Sequence, residues 1–337
     1  MIQEMTAKLI KHNDLTGSET QQVIDEVMNG QTTPIQTAAF LTALQAKGAT
    51  IEEITACARA MRSHATVVQA PVGLLEIVGT GGDKSNSFNI STTSSFVCAA
   101  GGCKVAKHGN RAATSKSGAA DVLEALGTQI SLEPEACVDL LNRAGFCFFF
   151  AQRYHKAMKY VGPVRKELSI PTVFNVLGPL TNPAHADHQV LGVYDEALVE
   201  PLTHVLHDLG VKKGMAVFGT DRMDEISASA PTKVCEFTGD TFKTYTIEPE
   251  QFGLVRGKKS DIVGGTPQEN AAITRSVLQG EQSTRRTAVV LNAGAGLYVA
   301  GKASTLEQGV RLAEQLIDCG KAYETLQTFI TLSQQEN

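Results

Sequence analysis

The stretch Leu74-Leu75-Glu76-Ile77-Val78-Gly79-Thr80-Gly81-Gly82-Asp83, followed four residues later by Phe88-Asn89-Ile90-Ser91-Thr92, decides how this chain folds. Leu74 to Val78 is a short apolar run ending in glycines, the pattern of a buried strand. From about Asn89 to Ala100 the residues read as a helix. The connecting loop carries Gly79, Gly81 and Gly82, which let the backbone approach an oxyanion and turn successive N–H groups toward it. The helix N-terminus adds its partial positive charge, with the Ser91 and Thr92 hydroxyls in its first turn. A tight turn without a ligand is the competing reading of the loop taken alone. It is not a Walker loop, lacking the Gly-Lys-Ser/Thr ending, nor a G-x-G-x-x-G dinucleotide loop.

Outward from this unit, Lys104-Val105-Ala106-Lys107 reads as a second strand, with others near Cys147–Phe150, Gln189–Tyr194, Met215–Phe218 and Lys233–Phe237. Helices are expected near 117–127, 133–144, 197–209, 269–279 and 304–333. Strands alternating with helices predict an α/β fold with a mainly parallel sheet. The first 65 residues differ. Capping-box spacings at Ser18–Gln21, Thr33–Gln36 and Thr50–Glu53 each open a segment of helical periodicity, with Gly30 and Gly48 as stops. They predict a small helical bundle.

The chain has 337 residues, ample for a sizeable core, and a formal net charge of -5, which argues against a general nucleic-acid binder. Seven cysteines with no C-x-x-C pair argue against a disulfide framework and for a reducing cytosol. No signal pattern and no long apolar span is present, so a soluble cytoplasmic protein is expected.

Three further segments carry chemistry. Lys107-His108-Gly109-Asn110-Arg111 follows the second strand, so it should fall on the same sheet edge as the glycine loop. So many donors at one strand end suit an anion, with Lys116 and Ser117 extending the site; a solvated polar turn is the plainer alternative. Asp224-Glu225 are adjacent acids after the strand ending at Phe218. Such pairs usually face water, but beside a diphosphate they suit magnesium, which takes oxygen ligands and keeps much of its water. Arg165 could pair bidentately with a carboxylate, and Phe174 to Pro183 could wall a pocket for a flat ring. By itself Arg165 would more often be a structural ion pair.

In this order and spacing the segments resemble the anthranilate phosphoribosyltransferase family over nearly the whole chain. The likeness includes Ala39-Phe40-Leu41, Lys47-Gly48, Gly79–Asp83, Lys107–Arg111, Ser117-Gly118, Asp121–Gly127, Phe174–Pro183 and Asn292-Ala293-Gly294. It implies a small N-terminal helical domain (1–70, with a returning segment about 164–182) and a large α/β domain (71–163 and 183–337) related to nucleoside phosphorylases. It also implies a homodimer through the helical domain, with no nucleic acid or membrane as partner.

By the same resemblance, Gly79, Thr80, Gly81, Gly82, Asp83, Ser87, Asn89, Ile90, Ser91, Thr92, Lys107 and Ser117 would bind phosphoribosyl diphosphate. Gly79, His108, Asn110, Arg165 and Pro179 would meet anthranilate. Ser91, Asp224 and Glu225 would hold up to two Mg2+ ions, and Lys107 would stabilise the leaving diphosphate. Lys156, Ser169, Pro171 and Phe218 depart from the family's usual residues around the acceptor pocket. A pyrimidine nucleoside phosphorylase and a non-enzymatic nucleic-acid-binding relative are the alternatives.

Overall fold

The computed structural model describes residues 1–112 and 115–336. Helices α1 (Ile2–Ile10), α2 (Gly17–Met28), α3 (Pro34–Lys47) and α4 (Ile51–Ser63) open the chain. The boxes at Thr33 and Thr50 are in place, each hydroxyl accepting the N–H of Gln36 or Glu53, whose side chain reaches back. The first box is shifted from the expected Ser18. Thr16 caps α2 with Glu19, whose charge also answers the helix dipole, as Gln21 could not.

The remaining chain alternates strands and helices. It runs β1 (Leu74–Gly79), α5 (Ile90–Ala100), β2 (Lys104–Gly109), α6 (Ala119–Ala125), α7 (Pro134–Arg143) and β3 (Phe146–Phe150). Short helices α8 (Ala151–Tyr154), α9 (Gly162–Leu168) and α10 (Phe174–Leu177) follow. Then come β4 (His188–Gly192), α11 (Val199–Asp208), β5 (Lys213–Gly219), β6 (Thr232–Thr238) and β7 (Thr241–Ile247). Helices α12 (Pro267–Leu278), α13 (Thr284–Val299), α14 (Leu306–Asp318) and α15 (Lys321–Ser333) close it.

The seven strands form one sheet in the order β3-β2-β1-β4-β5-β6-β7. The first five are mutually parallel and the last two antiparallel, so the mainly parallel sheet is as expected. Three elements depart from the sequence reading. The single helix expected over 304–333 is two, broken where Gly320 takes a left-handed φ of 79°. Helix α13 escapes periodicity because almost every residue from Ala288 to Leu297 is buried, leaving no polar face to reveal a period. Strand β7 is a Thr-rich, largely exposed edge with no apolar run.

Two apolar cores hold the fold. One lies between the sheet and α5, α13 and α15, where Phe96 stacks on Phe146 at 4.4 Å and Phe329 meets Phe146 edge-on at 4.7 Å. The other begins in α1–α4 with Val23, Phe40 and Leu44 and takes in Val161, Val173, Phe174 and Leu177 from the returning segment. It continues into Leu191, Ala216 and Phe237 of the sheet, so the helical bundle and one sheet face share a single interior. Full burial of such a Leu or Phe contributes roughly 1.5–3 kcal/mol.

Strand β1 has β2 on one side and β4 on the other, and chain order reverses between β1 and β4. At such a switch point the connections diverge and leave a crevice beyond the C-terminal strand ends. The glycine loop leaves β1 at that crevice.

Candidate active site

At the mouth of the crevice Gly79 of β1 pairs with Gly192 of β4, and Asp224 lies over both. A Cβ on Gly79 would stand 2.8 Å from Asp224 Cγ and 3.0 Å from its carbonyl oxygen. A Cβ on Gly192 would run into the same carbonyl. Glycine is therefore required at both positions by the close approach of Asp224. Asp224 Oδ2 accepts the Gly81 N–H at 2.7 Å. Thr80 donates its N–H to the Gly192 carbonyl at 2.9 Å, and its hydroxyl accepts from Tyr194 N–H at 3.1 Å. Positive φ at Gly81, Gly82, Lys84 and Asn86 turns the loop sharply. The N–H groups of Gly82 and Asp83 find no protein acceptor among the described residues, leaving donors open for an anion.

Acid accumulates beside this loop. Asp83 accepts from Ser85 N–H at 3.1 Å and from Asp224 N–H at 3.4 Å. Burial, then the neighbouring Asp83 charge, pushes the Asp224 carboxyl above its ordinary range. Burial, then Asp224, does the same to Glu225, which accepts the Ser91 N–H at 3.2 Å. The counter-charge is Lys107. Lys107 is 2% exposed, and its ammonium donates to the Ile77 carbonyl at 2.8 Å and to Ser91 Oγ at 3.2 Å. Burial lowers its pKa, and Glu76, Glu225 and Asp224 oppose that.

Three carboxylates facing one ammonium leave room for a divalent cation, and the donors (Asp83, Asp224, Glu225, the Ser91 hydroxyl) are all hard oxygens of the kind magnesium prefers. Among the described residues no three His, Cys, Asp or Glu side chains already converge on one point. A bound ion would therefore draw further ligands from substrate and water.

On the other flank of α5, Asn89 ties three elements together. Its Oδ1 accepts from Asn270 Nδ2 at 2.9 Å and from Ser117 Oγ at 3.3 Å, and its Nδ2 donates to the Ser117 carbonyl at 3.2 Å. Ile90 and Thr92 are buried in the first turn, and Ser87 bridges through its backbone to Val263.

Among the acceptor candidates His108, the neighbour of Lys107 on β2, faces the other side of the sheet. His108 is buried, its pKa pushed down to about 3 by burial, then by His155, so the ring is neutral. Its Nδ1 donates to the Gly178 carbonyl at 3.3 Å, leaving Nε2 an unpartnered acceptor beside buried Pro179. The His108 N–H donates to Glu76 Oε1 at 3.0 Å. Asn110 is exposed, with Oδ1 occupied by Arg111 N–H and Gln152 Nε2 and its own NH2 unpaired among the described residues. Arg165 of α9 lies 5.5 Å over the Phe174 ring with no carboxylate partner among the described residues. Desolvation lowers its pKa. It does not bond to the other candidates; the ion pair that was its plainer reading is absent among the described residues, leaving the fork free.

The five-residue donor cluster needs correction. Arg111 faces away from any shared anion, pairing with Glu124 at 2.5 Å and Asp121 at 3.1 Å, and Lys116 is exposed. Asp121 also accepts the Ala112 and Gly118 N–H groups at 2.8 Å. The sequence reading missed Gly192, Asn270 and Glu76; only Glu76, a charge inside an apolar run, carried a visible signal. A separate groove of 690 Å3 between α2 and α4 is lined by none of the candidate residues.

Residues 3–65 match the glycosyl transferase family helical bundle domain and residues 72–323 the glycosyl transferase family a/b domain. An anthranilate phosphoribosyltransferase of Methanobrevibacter smithii is 56% identical over 98% of both chains. The anthranilate phosphoribosyltransferase of Thermus thermophilus superposes with a TM-score of 0.93 at 42% identity, over 98% of this chain and 99% of that one. The Saccharomyces cerevisiae enzyme, solved with PRPP and Mg, gives 0.90 at 30% identity over 99% and 98%. That yeast enzyme has also been solved with 4-fluoroanthranilate.

Proposed function

The chain belongs to the anthranilate phosphoribosyltransferase family of glycosyl transferases, and from that premise we propose how its residues divide the reaction. The enzyme transfers the 5-phosphoribosyl group of phosphoribosyl diphosphate to the amino nitrogen of anthranilate, a step of tryptophan biosynthesis, with Mg2+ as cofactor. That sets aside the nucleoside phosphorylase and the nucleic-acid-binding relative.

The observation that carries the residue assignments is the knot of Gly79, Gly81, Asp224, Glu225, Ser91 and Lys107 at the switch point. It supports the donor diphosphate on the Gly79–Asp83 loop and the α5 N-terminus, with Ser87, Asn89, Ile90, Thr92 and Ser117 around it. Ser91, Asp224 and Glu225 are assigned to magnesium. When bound, the ion neutralises charge on the departing diphosphate.

The C1–O bond to diphosphate breaks as the C1–N bond forms, with inversion and an oxocarbenium-like transition state, and the amino nitrogen then sheds one proton to the departing diphosphate or to water. Charge gathers on the leaving oxygens, where Lys107 and the open loop N–H groups stand ready to stabilise it. The aniline nitrogen is neutral at pH 7 and attacks without prior deprotonation, so positioning is the main demand. The Arg165 fork is assigned to the anthranilate carboxylate, with Gly79, Asn110, His108 and Pro179 lining its approach. The Nε2 lone pair of His108 can take a hydrogen bond from the amino group.

The domain division at 1–70 with 164–182, against 71–163 with 183–337, follows the same premise. So does a homodimer through the helical part, where Ile10, Ile35 and Ile170 are exposed. No helix among the described residues is long and apolar enough to cross a membrane; a cytoplasmic location is proposed. Mixing the protein with phosphoribosyl diphosphate, Mg2+ and anthranilate should quench anthranilate fluorescence with turnover. Persistent fluorescence with active donor, or base release from a pyrimidine nucleoside given phosphate, would refute the assignment.

A further inference from the structure

Asn270 of α12 is 2% exposed and touches no candidate substrate group, yet both ends of its amide are committed. Its Oδ1 accepts the backbone N–H of Gly265 at 2.8 Å, and its Nδ2 donates to Asn89 Oδ1 at 2.9 Å. A backbone N–H can only donate, so the Asn270 oxygen must face Gly265 and its NH2 must face Asn89. Asn89 must then present its oxygen to Asn270, where the Ser117 hydroxyl also donates to it. One N–H of Asn89 goes to the Ser117 carbonyl at 3.2 Å. The other has no acceptor among the described residues and is left for a ligand. The backbone wraps the Asn270 amide closely, since a Cβ on Gly264 would lie 2.6 Å from its Oδ1 and 2.8 Å from Phe88 Cα.

We propose that Asn270 is a positioning residue that fixes the facing of the Asn89 amide and so holds Asn89 as a hydrogen-bond donor to the anionic donor substrate. This rests on the assignment of Asn89 to the phosphoribosyl diphosphate site. Polarity passes from one irreversible backbone donor through two side-chain amides to the bound anion.

Asn270→Asp keeps the shape and the Gly265 bond but offers only acceptors. The new carboxylate then competes with the Ser117 carbonyl for the Asn89 NH2, and whenever Asn89 turns to it the Asn89 oxygen faces the anion. The KM for phosphoribosyl diphosphate should rise about 10- to 100-fold, the range for losing a hydrogen bond to a charged group. The anthranilate KM and the melting temperature should stay close to wild type. Asn270→Ala, which removes the constraint without reversing it, should give a smaller rise in the same parameter.

A double-mutant cycle separates this from simple repulsion by the new charge. In an Asn89→Ala background, Asn270→Asp and Asn270→Ala should add no further rise in donor KM. An equal rise in both backgrounds, or a rise confined to the anthranilate KM, overturns the relay alone. Should Asn89→Ala by itself leave donor KM and calorimetric donor binding unchanged, the Asn89 assignment falls and the relay with it.

Discussion

Replacing Gly79 by alanine adds one methyl group where Asp224 now sits. Gly79 is not in the left-handed region, so alanine meets no backbone strain and the effect is steric. The new Cβ would lie 2.8 Å from Asp224 Cγ, about 0.7 Å inside a comfortable carbon–carbon contact of roughly 3.5 Å. The carboxylate cannot swing aside freely, because Oδ2 holds the Gly81 N–H at 2.7 Å. Nor can the Asp224 backbone retreat toward Gly192, whose missing side chain it already replaces. The acid and the glycine loop must therefore move together. Misplacement on the order of 1 Å costs about 10²-fold in a positioned reaction, equivalent to about 2.7 kcal/mol at 1.36 kcal/mol per tenfold. The expected result is a roughly 100-fold fall in kcat/KM for phosphoribosyl diphosphate, with a higher Mg2+ requirement and weaker calorimetric binding of the donor–Mg2+ pair. Gly79→Ala with wild-type Mg2+ dependence and kcat/KM would refute the argument that this glycine exists to seat Asp224.

Other outcomes follow from single contacts. Arg165→Ala should raise the anthranilate KM about 10- to 100-fold, the range for a charge-assisted bond, and leave donor KM alone; steady-state kinetics on both substrates checks it, and an unchanged anthranilate KM removes Arg165 from the site. Lys107→Met should cut kcat by about 10²–10³ and, by leaving Asp224 and Glu225 without counter-charge, cost about 3–5 kcal/mol in denaturant unfolding of the free enzyme. His108 is held neutral with its pKa near 3, below its unfolded value, so the unfolded chain gains the proton first and stability falls as pH drops below about 6.5. His108→Gln should flatten that slope by up to about 1.4 kcal/mol per pH unit, read from urea unfolding at pH 6 and pH 5. Ser169 sits at a left-handed φ of 51°, so Ser169→Gly should stabilise the fold by about 0.5–1 kcal/mol, read as a higher urea midpoint at constant m.

Much of the donor side was legible because its signals are local. An apolar run, three glycines and a helix start within twenty residues can form little else than a strand, a turn and a helix. What Asp224 does was not legible: an acidic pair after a strand looks the same whether it faces water or two glycines on neighbouring strands. Only the sheet order, with β1 beside β4, decides that. Arg111 shows the converse, since a guanidinium after a strand reads alike whether its partner is a phosphate or Glu124. Asn270 is one polar residue on a helix, and its importance lies in a bond to Asn89 across 181 positions. Helix α13 was hidden by its burial, which erases the polar face on which periodicity depends.

The returning segment has a consequence for how the protein is made. About 110 residues separate the end of α4 from Phe174, which adds to the interior that α1–α4 begin before the strand residues Leu191, Ala216 and Phe237 complete it. At roughly 5–20 residues per second of synthesis, the four helices wait on the order of 5–20 s before that piece leaves the ribosome. Through that interval Phe40, Leu44 and their neighbours lack part of their eventual cover. The helical bundle is thus made before the sheet and finishes folding only after it. Chaperone capture of stalled nascent chains should be heaviest for lengths that end before Phe174, and should fall once α10 has emerged.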